Sequence, residues 1–156
     1  MLSIQQIHDQ IVQPTLISVA LDSRPLTTFL SLSMMPSIAQ TNELFGPLQI
    51  TSDLHRSVWD NHLALDPDKA SAVRGLASQR RFLETPDLEL NLNWGYAVAI
   101  TANLIEMRSR CSILELNEPE LETIWFHQCL QEHHAKIAKD YYMARKSDHR
   151  RRPFAA

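Results

Sequence analysis

Hydrophobic positions recur at helical spacing along nearly the whole chain. Ile4, Ile7 and Ile11 share a face ahead of Pro14, and residues 16–21 continue as a second short apolar helix. Asp22-Ser23-Arg24-Pro25 interrupts the pattern and caps a helix over residues 26–35. Pro36 bends or restarts that helix, because it lacks an amide donor and disfavours helix at the residue before it. Residues 41–52 have no helical period and contain the Gly46-Pro47 turn signal, so a short strand or an active-site loop belongs there. Thr51 or Ser52 then caps a helix carrying Leu54, Val58, His62 and Leu65 on one face. Asp66-Pro67 opens another through Ala70, Val73, Leu76, Arg80 and Leu83, and Thr85-Pro86 a long one through Leu88, Leu92, Tyr96, Ala99, Asn103 and Met107. Asn117, with Glu120 three residues on, caps a helix over residues 118–146. The pattern predicts one mostly α domain over residues 1–144, with at most a small β region near residues 44–52 and a basic tail over 145–156.

Composition narrows the function classes. The 156 residues fit a single domain with a sizeable core, and only 3 are glycine. Gly46, Gly75 and Gly95 are too scattered to build a phosphate-cradling loop, which removes Walker and dinucleotide fingerprints. So few glycines also disfavour a turn-rich sandwich or barrel. The 2 cysteines, Cys111 and Cys129, support neither a disulfide framework nor a four-cysteine zinc site and read as reduced core thiols. The first residues lack the basic start and apolar run of a signal peptide, and no window reaches the roughly 20 apolar residues of a membrane span. Synthesis in a cytosol is therefore expected.

Net charge is 15 − 18 = −3, yet Arg145, Lys146, Arg150, Arg151 and Arg152 crowd the C-terminal end. Such a segment could meet an anionic polymer or be a solvated, frayed end. The rest of the chain carries an acidic excess and no zinc or helix-turn-helix pattern, so no nucleic-acid partner is expected. Histidine is plentiful, with Cys129 and His133 four apart, but three or four converging ligands cannot be assembled by spacing, and no metal or other cofactor is expected.

The segment from Gly46 to Leu63 stands out: a Gly-Pro-Leu-Gln turn, a following helix with His55, then Trp59-Asp60-Asn61-His62-Leu63. A second motif follows in order, Asn93-Trp94-Gly95-Tyr96-Ala97-Val98-Ala99. Together they resemble phage-associated lytic-transglycosylase-like proteins of the lysozyme superfamily, over under half of the chain. The resemblance implies a lysozyme-like helical domain. It further implies peptidoglycan glycan strands as substrate, other virion proteins as partners, and residence in a virion or at the host periplasm or cell wall. In such enzymes a single carboxyl at a helix end protonates the glycosidic oxygen, opposite a glutamine-bearing turn, and the substrate's own N-acetyl and 6-hydroxyl groups complete the reaction.

Carried onto this chain, the resemblance implies Glu43 as the acid/base and Gln49, Thr41, Tyr96 and His55 as substrate-binding residues. The chain departs from the pattern in having Ala39-Gln40-Thr41-Asn42-Glu43, with Thr41 at the register of the acid and a shortened loop before Gly46. Threonine cannot act as a general acid near neutral pH, so Glu43 either supplies the acid or is a loop carboxylate in an inactive, structural or adaptor relative. Gln49 either binds a sugar or bonds backbone within its turn. Trp59 and Trp94 read as core aromatics, Tyr96 as an orienter of a carboxyl or a buried hydroxyl, and His55 as an anchor of the helix after the loop.

Overall fold

The computed structural model describes residues 2–35 and 43–155, so Pro36, Gln40 and Thr41 lie outside the described residues. Among the described residues the chain is mostly helical. Ser3 opens α1 (Ile4–Ile7) with a capping box to Gln6. A π turn over His8–Val12 leads straight into α2 (Gln13–Ser18). The sequence reading separated two helices at Pro14. Instead the Gln13 amide reaches back five residues to the His8 carbonyl, and this wide turn carries the helix past a residue that cannot donate.

Ser23 caps α3 (Arg24–Ser33), where Leu26, Phe29, Leu30 and Leu32 are buried. After α3 the Met35 amide bonds the Pro47 carbonyl at 2.8 Å, tying this strand-like exit to the following turn. The small β region falls where it was expected. β1 (Leu44–Phe45) pairs antiparallel with β2 (Ile50–Thr51), with Leu44 opposite Thr51 and Phe45 opposite Ile50. Gly46 is required in this turn, because its φ is +77° and a Cβ there would sit 2.5 Å from the Leu90 carbonyl oxygen.

Thr51 caps α4 (Ser52–Asn61), and Asp66 caps α5 (Pro67–Arg74). The helix expected over residues 66–83 divides at Gly75, and α6 (Gln79–Glu84) follows after a turn. The long helix expected from Pro86 also divides, into α7 (Pro86–Leu92) and α8 (Trp94–Ser109). Asn93 is the cause: its side chain accepts from the Tyr96 amide at 2.9 Å and donates to the Leu76 carbonyl and to Glu89, both at 2.8 Å. These bonds outcompete a continuous helix at that residue.

α9 (Glu118–Thr123) has the expected Asn117 capping box and runs into a π turn over Ile124–Cys129. Leu130 is then extended, so the helix expected over 118–146 breaks before α10 (Glu132–Arg151).

α8 is the axis of the molecule. Every residue from Tyr96 to Glu106 is buried, so it has no outward face, as expected for a helix packed on all sides. α2, α4, α7 and the Ile124–Cys129 turn surround it, and α3 packs on α9 and α10. Phe29, Phe126 and Tyr142 cluster between α3 and α10, with ring centroids 5.2 to 6.1 Å apart. The basic segment placed in a tail from residue 145 is helical through Arg151. Arg145 donates to the Met34 carbonyl and to the Leu32 carbonyl at 3.4 Å, filling acceptors left free where α3 ends. Lys146 pairs with Glu122. Beyond the helix, Phe154 lies between His8 and His149, with ring centroids 4.3 and 4.4 Å away, and Ala155 donates to the Gln5 side chain at 3.0 Å. Cys129 is buried as expected, whereas Cys111 is exposed in the turn after α8.

Candidate functional site

The β hairpin and the N-terminal end of α4 form one wall of a cleft of about 1070 Å³, and the start of α10 forms the other. Glu43 and Gln49 both line it. Glu43 is exposed just ahead of β1. Gln49 is only 4% exposed and occupies the left-handed region at φ +56°, an unusual conformation for a residue with a side chain. The tight four-residue turn between β1 and β2 forces it there, with the Gln49 amide bonding the Gly46 carbonyl at 3.0 Å. Asn91 holds the turn from α7 by accepting the Gly46 amide at 2.6 Å.

Tyr96 and His55 do not line this cleft; they form a chain of hydrogen bonds behind it. Trp59 donates its indole N–H to the Tyr96 hydroxyl at 3.0 Å. That leaves the hydroxyl proton for His55 Nε2, 2.7 Å away. With Nε2 accepting, His55 must carry its own proton on Nδ1, which faces Asp87 Oδ1 at 2.8 Å. Ser52 donates to the other Asp87 oxygen at 2.7 Å. Every polar atom of this chain is thereby matched with neutral His55. Burial lowers the His55 pKa, opposed by its bond to Asp87, so the ring stays neutral. Burial pushes the Tyr96 phenol well up, so it is a fixed hydroxyl and not a nucleophile. Sequence reading of His55 as an anchor of α4 matches this geometry, and Trp59 and Trp94 are half-buried against the core.

Asp87 is the residue that sequence reasoning missed. It follows Pro86 at a helix start, where an acidic residue is ordinary, and its partners lie 32 and 35 positions away. In the structure it lines the same cleft as Glu43 and Gln49. His133 and His134 also reach the cleft wall, and the His134 Nε2 is buried without a partner. Burial, helped by the neighbouring His133, keeps His134 below the usual histidine range. Cys129 lies beside them, but burial pushes its thiol up to about 12, which removes it as a nucleophile. Among the described residues no three His, Cys, Asp or Glu side chains converge to hold a metal.

Two further carboxylates are structural. Fully enclosed Glu89 accepts from Arg81 Nε at 2.7 Å, the Ser78 amide at 3.0 Å and Asn93. Burial alone would raise its pKa, but these donors hold it below the usual range. Glu106 accepts from Lys69 and the Ile113 amide, with His62 Nε2 3.3 Å away, and burial is outweighed so that its pKa falls to about 2. No helix among the described residues is long and apolar enough to cross a membrane. Comparison with protein-family models, with curated proteins and with solved structures gives no match to this chain.

Proposed function

We propose that the hairpin cleft binds peptidoglycan glycan strands and that Glu43, as the single acid/base, cleaves the β-1,4 bond between N-acetylmuramic acid and N-acetylglucosamine. The protein would then be a phage or prophage lytic enzyme, acting from a virion or at the host periplasm or cell wall. One observation carries this reading: Glu43 and Gln49, singled out as partners in one site, line one cleft. The cleft's mixed lining, with Phe45 and Ile137 beside polar Gln49, Thr51 and Asp53, suits an amphipathic sugar chain. A strand laid against Glu43 would shield this exposed carboxyl from solvent, the condition under which a carboxyl serves as a general acid.

Exposure of Glu43 in the free protein favours a second reading, a non-enzymatic virion structural or adaptor protein with a lysozyme-like frame. Turbidity clearing of purified cell walls separates the two. The enzyme reading expects clearing by the wild type and loss in Glu43→Gln with wall binding retained. Wall binding without clearing at any pH between 5 and 8 would leave the second reading, and a protein that neither binds nor clears would overturn the first outright.

A further inference from the structure

Glu43 is not the only carboxyl that the cleft offers: Asp53 and Asp87 line it too, and Asp87 is firmly held. Asp87 is oriented through both oxygens, by His55 Nδ1–H at 2.8 Å and by the Ser52 hydroxyl at 2.7 Å. The tautomer of His55 is fixed in turn by Tyr96, so three elements, α4, α7 and α8, converge to set one side chain. Behind Asp87 the chain ends in a buried phenol that cannot accept another proton, which makes the network a mount for the carboxylate and not a proton wire. Asp87 keeps about a quarter of its side-chain surface open, 28%, and it lines both the cleft and a smaller hollow beside His55 and Trp59. A salt-bridge role would have matched it with Lys or Arg; its partners are a neutral imidazole and a hydroxyl, which leave its charge available to a ligand.

We infer that Asp87 is a second catalytic carboxylate, activating a water molecule, and that His55 is its positioning residue, so the enzyme hydrolyses its glycan instead of closing an anhydro ring. This deepens, and rests on, the glycan-cleaving reading above. In the step, the water oxygen bonds to the anomeric carbon while Asp87 takes one of its protons. The bond from that carbon to the bridging oxygen breaks, and Glu43 gives its proton to the leaving oxygen. One water is consumed, a reducing end and a free hydroxyl are formed, and exchange with solvent returns Asp87 and Glu43 to their starting states. A single-acid enzyme that uses the substrate's own 6-hydroxyl as nucleophile would give a product lighter by that water.

Mass spectrometry of fragments released from purified peptidoglycan tests this with the full-length chain. Reducing-end fragments from the wild type, and a fall in kcat of about 100-fold or more in Asp87→Asn with KM changed less than about threefold, are expected for a lost general base. Anhydro-ended fragments alone would overturn the role of Asp87 while leaving Glu43 and the cleft intact. Reducing ends with undiminished kcat in Asp87→Asn would overturn it as well. No fragments from the wild type would overturn the glycan-cleaving reading itself. Should Asp87→Asn fail to fold, Ser52→Ala decides. Loss of one donor should lower kcat by about threefold or more with KM changed less than about threefold, and an undiminished kcat would refute the assignment.

Discussion

Glu106 should make the folded state acid-sensitive in a defined window. Its carboxylate, 9% exposed at the end of the central helix, accepts from Lys69 and the Ile113 amide and lies 3.3 Å from His62 Nε2, and its pKa falls from an ordinary 4.5 to about 2. A folded-state pKa below the unfolded one adds stability above pH 4.5 that drains away as pH falls toward 2. The difference, 4.5 − 2, corresponds at about 1.36 kcal/mol per factor of ten to roughly 3 kcal/mol. Lys69 keeps nearly a third of its side chain in solvent, and screening there reduces the figure to about 2 kcal/mol. Replacing Glu106 by Gln keeps the shape and an acceptor for the Ile113 amide but removes the charge. Urea midpoints at pH 7, 5 and 3 measure the outcome. The variant should be about 2 kcal/mol less stable at pH 7, equivalent to roughly 4–8 °C in Tm for a domain of this size. By pH 3 the gap should have mostly closed. A gap that is the same at all three pH values would refute the reasoning, since it would show lost packing and not lost charge.

Other substitutions separate backbone, capping and thiol effects. Gly46→Ala meets both a positive φ and the Leu90 carbonyl at 2.5 Å, so it should cost about 3 kcal/mol or more, whereas Gly75→Ala, with an ordinary helical φ and its nearest neighbour at 3.4 Å, should shift thermal melting little. Equal melting temperatures for the two would contradict this account of the hairpin turn. Arg145→Ala strips the donors from the Leu32 and Met34 carbonyls and the cation from the Tyr141 ring, 4.9 Å away, and should lose about 2 kcal/mol in urea melts; a neutral result would mean that water serves those carbonyls equally well. In a native thiol titration with Ellman's reagent, Cys111 should react promptly and Cys129 only after denaturant is added. Prompt reaction of both would show that the Ile124–Cys129 turn opens readily.

What the sequence made legible was local. Thr51, Asp66, Pro67, Pro86 and Asn117 announce helix starts because each acts on amides within a few residues of itself, and Gly46-Pro47 marks its turn for the same reason. The breaks at Asn93 and Leu130 escaped notice because apolar spacing runs through both without interruption. Asn93 stops its helix by reaching Leu76, 17 residues back, a contact no short window contains. Arg145 looked like one more tail charge, yet its acceptors lie more than 100 residues upstream. The site divided along the same line. Glu43 and Gln49 sit within one hairpin and could be paired from motif order. Asp87 becomes part of the cleft only through His55 and Ser52, whose proximity is a product of helix packing.

α8 carries a consequence for how this molecule tolerates change. A helix half in water has a side on which residues can be exchanged freely, but the run from Tyr96 to Glu106 is buried at every position, and it holds the Tyr96 and Glu106 anchors at its two ends. Its amides should therefore exchange hydrogen with solvent only through opening of the whole domain, while the hairpin and α10 exchange through smaller fluctuations. A substitution on a surface helix meets solvent on its outer side, whereas any substitution from Tyr96 to Glu106 meets packed neighbours, so the cleft walls rest on a rod with no position open to water.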